Sequence, residues 1–404
     1  MERSQKNQLQ DFDWALGLNR FSLRLMGIWP ADQDESSKSL LTVSRIPLMI
    51  LVLLCGLFLP QMWALALVIE QLPLAIDNLM TSCPAFTSCI KLFFIWRSKT
   101  ILQPVIDSAL QDYLRPKSKS EETAMQREAL RGRLVTIADY SIMASCYVGF
   151  IFMPMLGFNV RIINNLTDCD TQRVLLVQSY FPYDYARSPA FELTHLLQLA
   201  ASFFVGMAIS IPDDYFCALL FHASAQFEIL GLQIESLPID GSKSGRLLSG
   251  FIERHVHLNR MVSAVERSFE FVIAAQIFCM SIMVCCLGFQ VLRMLDSAAE
   301  KPTPVQILTL GGTLFTMLLH TFVDCFASEN LAARSSELFF KIYSSRWYSL
   351  SWSKMRCLVP MMLVAKTPRQ IRAGKILSMS LATYCSIIKS TAGYISMLIA
   401  VSGR

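Results

Sequence analysis

The chain has 404 residues, of which 53% are hydrophobic and only 17% charged. Soluble domains carry roughly 25% charged and 45–50% apolar residues, so an ordinary soluble globule is excluded. The net charge of +5 is modest, and it follows the order of the apolar blocks along the chain, so it calls for no nucleic-acid partner.

Residues 1–45 are polar, with Asp11, Asp13, Arg20, Arg24, Asp32, Asp34 and Glu35. They lack the short apolar core of a cleavable leader, so the first span is expected to act as the insertion signal. A bilayer core of ~30 Å needs about 20 apolar helical residues. Ile46 to Ile69 and Phe271 to Leu292 meet that need without a charged residue, and the charge-free run Val305 to His320 is taken with them. Four more runs carry one polar intruder each: Leu72 to Ile90 (Asp77), Leu134 to Phe158 (Asp139), Leu193 to Ile211 (His195) and Ile376 to Val401 (Lys389). Runs this long and continuous read as helices, because lipid accepts only helices or closed barrels. The expected fold is all-α, a bundle of seven membrane-spanning helices.

Lysine and arginine alternate between the connecting segments. The N-terminal segment, Trp96–Arg133, Pro212–Ser268 and Asp324–Lys375 together hold 28 of them, against five in the alternate segments. Positive charge marks the cytoplasmic side, so the N-terminus is expected inside and the C-terminus outside. The glycosylation sequon Asn165-Leu166-Thr167 falls in a loop that this places outside.

Two cytoplasmic stretches are patterned rather than loop-like. Phe216, Leu219, Leu220, Phe227, Leu230 and Ile234 recur near helical spacing, and so do Phe251, Val256, Leu258, Val262 and Phe269 after a break at Pro238–Ser242. Phe340, Trp347, Leu350, Trp352 and Leu358 form a third apolar set before Pro368. These segments are expected to build a cytoplasmic helical anchor, or to lie on the membrane surface. The expected organisation is a cytoplasmic segment 1–45, spans 1–6 within 46–326 with extensions at 213–268, anchor helices at 327–375 and a final helix at 376–404.

Most of the 12 cysteines lie in spans and read as small hydrophobes. His255 and His257 sit on different helix faces without carboxylate company, and Gly311-Gly312-Thr313 lacks the lysine of a phosphate loop. No nucleophile–base constellation, metal spacing or cofactor motif is present, so an enzyme is not expected. On the final helix Ser390, Tyr394, Met397 and Val401 share one face, with Lys389 beside them; such a stripe is either functional or ordinary packing. In the third span Cys146, Gly149 and Met153 likewise share a face.

The C-terminal residues Tyr343, Trp347, Pro368, Ala373-Gly374, Ser380-Leu381, Thr383-Tyr384, Ile388-Lys389-Ser390 and Tyr394, in that order, resemble the insect odorant receptor family. Gly27-Ile28-Trp29-Pro30, Phe181-Pro182-Tyr183-Asp184, Ser188-Pro189-Ala190 and the set His222, Leu230, His255, Phe269 extend the resemblance over the whole chain. Lys366-Thr367-Pro368 departs from the more usual Gln-Lys-Pro-like triplet. The resemblance implies an odour-gated non-selective cation channel in the plasma membrane of olfactory neurons, assembled as a tetramer with a shared co-receptor. It implies that the final helix lines the pore, with Met397 and Val401 at a hydrophobic gate near its outer end and Tyr394, Ser390 and Lys389 below. It implies an odour pocket in the outer half of the membrane domain. Cys146, Gly149 and Met153 match its spacing, and Asn78, Ser82, His195 and Leu199 are weaker candidates. The alternatives are a metabotropic seven-helix receptor, which the charge asymmetry opposes, and a gustatory-type channel, whose C-terminal signature is absent. A transporter is disfavoured because no internal repeat is visible.

Overall fold

The computed structural model of the protein describes residues 2–29, 40–155, 166–168, 173–236, 243–296 and 304–402. Among them the chain forms ten α-helices: α1 (Glu2–Met26), α2 (Leu40–Leu53), α3 (Leu59–Val68), α4 (Leu72–Leu114), α5 (Lys119–Met155), α6 (Ala190–Glu235), α7 (Lys243–Asp296), α8 (Pro304–Ser344), α9 (Trp352–Ala365) and α10 (Leu381–Ser402). A π-helical turn at Leu54–Phe58 joins α2 to α3, and a 3-10 turn at Trp347–Ser349 precedes α9. Two-residue strands β1 (Arg372–Ala373) and β2 (Leu377–Ser378) pair antiparallel, the one departure from an all-α chain among the described residues.

Helices α4 to α8 hold 43, 37, 46, 54 and 41 residues. At 1.5 Å per residue they run roughly 55–80 Å, about twice the bilayer core or more. Five helices are long and apolar enough to cross a membrane by length and composition: Ser44–Val68, Leu72–Leu114, Ala190–Glu235, Gly245–Val291 and Ile307–Ser344. The remaining two expected spans lie on α5 and α10, continuous helices of 37 and 22 residues.

The cationic stretch 96–133 differs from its reading as a loop. Helix α4 continues through it to Leu114 and α5 starts at Lys119, leaving residues 115–118 as the connection. Charge excludes a segment from lipid but not from a helix. A capping box starts α5: Ser118 N–H donates to Glu121 Oε2 at 2.8 Å and Glu121 N–H donates to Ser118 Oγ at 3.4 Å. The N-terminal segment also folds, as α1. Its end is a Schellman-like cap on Gly27, whose φ of 77° suits only glycine, with Ile28 N–H donating to the Leu23 carbonyl at 2.8 Å. That cap folds Ile28 and Trp29 into the core.

The core is uneven. Every residue of α6 from Ser210 to Phe227 is buried. A helix buried all round must be the centre of its bundle, and α4, α5, α7, α8 and α1 pack about it. The apolar windows beyond this zone are looser: 39–50% buried in four of the five span helices and 11% in α8. Exposed Phe278, Leu308 and Phe315 lie on these span helices and suit lipid. The π-turn lies where α2–α3 meets α6: a Cβ on Gly56 would sit 3.2 Å from the Ala201 Cβ. Pro60, which has no N–H to return to Gly56, accounts for the slipped register.

Candidate functional site

Helix α10 is launched from a pinned corner. Gly374, at φ 55°, and Lys375, at φ 64°, turn β1 into β2. Gly374 N–H donates to the Glu270 carbonyl of α7 at 3.0 Å, and Met379 N–H donates to the Ile371 carbonyl at 2.8 Å. Ser380 then caps the helix through Thr383 N–H at 3.2 Å, and Tyr384 sets its ring edge against Phe322 of α8 at 5.5 Å. The helix packs against α7 and α8. Lys389, Ser390 and Met397 are exposed on it, Met397 at 67%. Lys389 meets no carboxylate among the described residues. Tyr394 and Val401 lie within the α10 backbone, and their side chains fall outside the described residues.

The candidate pocket residues separate into two groups. Cys146 is exposed, and Gly149 has nothing within 4 Å of the place a Cβ would occupy. Tyr147 between them donates to the Leu199 carbonyl of α6 at 3.0 Å and packs edge-on to Phe203. The α5 face therefore adjoins open space beside α6, with Leu199 half-buried across from it. His195 is half-buried, its ring stacked on Phe191 at 5.8 Å and its Nδ1 unpartnered among the described residues. Asn78 and Ser82 are elsewhere, buried on α4 under the segment 173–189. The side chain of Met153 and the whole of Asn165 lie outside the described residues.

A set of enclosed charged side chains, of which the sequence flags only Asp139, joins the span helices. Lys91 of α4 is 0% exposed, and its Nζ donates to both Asp213 carboxylate oxygens on α6 at 2.7 Å and to the Ile209 carbonyl at 3.0 Å. His320 of α8 puts Nε2 3.0 Å from Asp139 of α5 and Nδ1 3.5 Å from Asp213. Asp324, a turn further along α8, accepts from Gln276 of α7 at 3.1 Å. One network thus fastens α4 to α8 together. A buried charge persists only when paired, because each ion costs several kcal/mol to desolvate. The sequence shows Lys91 only as a cation at the end of a span. Its partner is 122 residues away, and no spacing reports the pair.

Deeper in the extended zone, Asp112 receives His222 at 3.2 Å and Arg254 at 2.6 Å. Burial alone would raise that carboxyl, but the His222 and Arg254 contacts more than offset it and hold it below the usual carboxylate range. His255 is buried against Phe227; burial, with Arg369 nearby, pushes its imidazole down to about 4. Among the described residues no group of His, Cys, Asp or Glu is arranged to hold a metal.

Residues 71–392 match the family model described as 7tm odorant receptor. The chain belongs to the seven-helix odorant receptor family. Its relatives include Odorant receptor 85c of Drosophila melanogaster, 20% identical over 319 residues that cover 76% of this chain and 78% of that protein. Odorant receptor 94a of the same fly is 19% identical over 225 residues, 55% of this chain and 57% of that one, so this match spans under three fifths of the relative's length. The insect olfactory receptor OR5 from Machilis hrabei, solved in complex with eugenol, superposes with a TM-score of 0.81 at 18% identity, covering 98% of this chain and 100% of that one. The seven-span helical architecture is therefore the fold of this family member, with α5 and α10 completing the seven.

Proposed function

We propose that this chain is the odour-binding subunit of an odour-gated, non-selective cation channel of the plasma membrane, working with a shared co-receptor subunit in a heterotetramer. Helix α10 carries the reading. It packs against α7 and α8, yet its Lys389, Ser390 and Met397 stay exposed in one chain. A membrane helix with an exposed stripe holding a lysine and a serine suits a wet, shared axis better than lipid. Met397 and Val401 are the proposed gate, with Tyr394, Ser390 and Lys389 lining the passage below. The N-terminus is cytoplasmic and the C-terminus extracellular, as the 28-to-five distribution of cations supports. Residues 327–375 serve as the cytoplasmic anchor, and Asn165 faces outside for glycosylation. The odour pocket lies between α5 and α6, where Gly149 leaves space beside Tyr147 and Leu199, with Cys146, Met153 and His195 at its edges.

Expression with the co-receptor and current recording over an odour panel test this reading. Odour-evoked, calcium-permeable current is expected, and Met397→Ala is expected to change spontaneous opening or ion selectivity. Absence of current with a full complement of surface protein would remove the channel reading. An epitope at residue 2 that is accessible in intact cells would favour the metabotropic alternative.

A further inference from the structure

Helix α10 has two unlike sides. Tyr384, Ile387, Ile388 and Thr391 are half-buried, with the Tyr384 ring set against Phe322 of α8. The other side carries Ala382, Ser386, Lys389, Gly393 and Ser396, all exposed. Their spacing of four, three, four and three residues makes one straight stripe along a helix. Met397 is the one large apolar side chain exposed on α10 among the described residues. The neighbouring span helices differ in this respect. Helix α7 exposes Phe271, Phe278 and Val291, and α8 exposes Ile307, Leu308 and Phe315. Large apolar side chains suit hydrocarbon, whereas serines and a glycine around a lysine do not.

Lys389 stands in the middle of the stripe, roughly 12 Å along the axis from the start of α10. It is the only charged residue between Ile376 and Val401. It meets no carboxylate among the described residues. Its stripe neighbours Ser386 and Gly393 are small, and a Cβ on Gly393 would meet nothing within 4 Å. Small stripes also let helices pack closely. Close packing here would enclose the ammonium without a counter-charge, which is costly. Water beside the stripe avoids that cost. A fixed positive charge in a wet passage repels a passing cation with an energy proportional to that cation's charge. The barrier it adds for a divalent ion is therefore twice the barrier for a monovalent one. At about 8 Å in a water-like dielectric, one lysine disfavours divalent against monovalent passage by roughly twofold.

We propose that Lys389 is a valence-selectivity residue, whose ammonium on the exposed stripe of α10 holds down the passage of divalent cations relative to sodium. The assignment rests on the channel reading and adds a residue that sets which cations pass. It is separate from the gate proposed at Met397 and Val401, which sets whether any pass.

The test uses the full chain co-expressed with its co-receptor, with surface protein measured for every variant. Spontaneous current and current evoked by eugenol, 1-octanol or hexyl acetate are recorded in sodium and in calcium solutions. Current from the co-receptor alone is subtracted, and reversal potentials give the calcium-to-sodium permeability ratio. Lys389→Gln is expected to raise that ratio by about twofold, and Lys389→Glu by more. Lys389→Arg keeps the charge and is expected to keep the wild-type ratio. The position is exposed, so all three variants are expected to fold, and melting in nanodiscs checks this. A wild-type ratio in both Lys389→Gln and Lys389→Glu, with current present, overturns the proposal and leaves the channel reading standing. A rise in Lys389→Arg equal to that in Lys389→Gln also overturns it, because shape rather than charge would then be at work. Wild-type chain at the surface with no current beyond that of the co-receptor overturns both readings.

Discussion

At the scale of single residues, the two lysines of the membrane domain exchange roles relative to their appearance in the sequence. Lys389, midway along an apolar run, reads as the costly buried charge but is exposed in one chain, whereas Lys91 is the one fully enclosed. Lys91→Met leaves Asp213 with His320 alone, an incompletely compensated buried carboxylate. The expected loss is about 3–5 kcal/mol, seen as a fall in melting temperature and in surface expression. Adding Asp213→Asn should recover part of it; a double variant no better than the single would disprove the pairing. His255, well before the charge-free stretch Phe271 to Leu292, carries a pH prediction. Its imidazole is held near 4 against an ordinary value near 6.5. Between those values the unfolded chain binds a proton that the folded chain refuses. Stability should therefore fall as pH drops from about 6.5 towards 4, by up to roughly 3 kcal/mol. His255→Phe should flatten that limb in a melting series from pH 7.5 to 4.5.

At the scale of elements, the corner ahead of α10 is the most constrained joint described. Gly374 combines a φ of 55° with a would-be Cβ only 3.3 Å from the Ala274 Cβ, and its N–H bonds to the Glu270 carbonyl. Gly374→Ala is expected to cost about 1–2 kcal/mol from backbone conformation, with more from the contact. It should also shift the threshold of odour-evoked current, because the corner orients α10. Unchanged melting and unchanged dose–response would remove that role. Elements were legible in the sequence where lipid dictates them. The charge-free runs at Ile46, Phe271 and Val305 all lie on observed helices. Helix ends were not, because hydropathy reports exit from lipid rather than the end of a helix. The Ser118–Glu121 capping box was the available signal for the start of α5. The family motif Ala373-Gly374 was visible as letters, but the hairpin it makes was not.

For the molecule as a whole, the tightest packing surrounds α6 from Ser210 to Phe227, and the apolar windows of the span helices are looser. Phe221, 1% exposed at the centre of the extended bundle, and Phe315, 59% exposed on α8, test this contrast. Phe221→Ala should cost about 3–5 kcal/mol, and Phe315→Ala close to nothing when both are melted in nanodiscs. Similar losses would mean that α8 is covered by another chain on that face. The candidate site follows the same division. Helical spacing placed Ser390 and Met397 on one side of α10, and both are exposed there, while the Lys91 network depends on contacts between distant segments that no spacing reports.

Helix α8 shows what loose packing permits over time. With 11% of its apolar window buried, most positions there need only remain apolar, and many substitutions satisfy that demand equally. Sequence can drift at such sites with little effect on the arrangement of the helices. A chain 18% identical to this one can therefore still superpose on it at a TM-score of 0.81. Tolerance of this kind belongs to the spanning halves, while the buried length of α6 from Ser210 to Phe227 holds the frame.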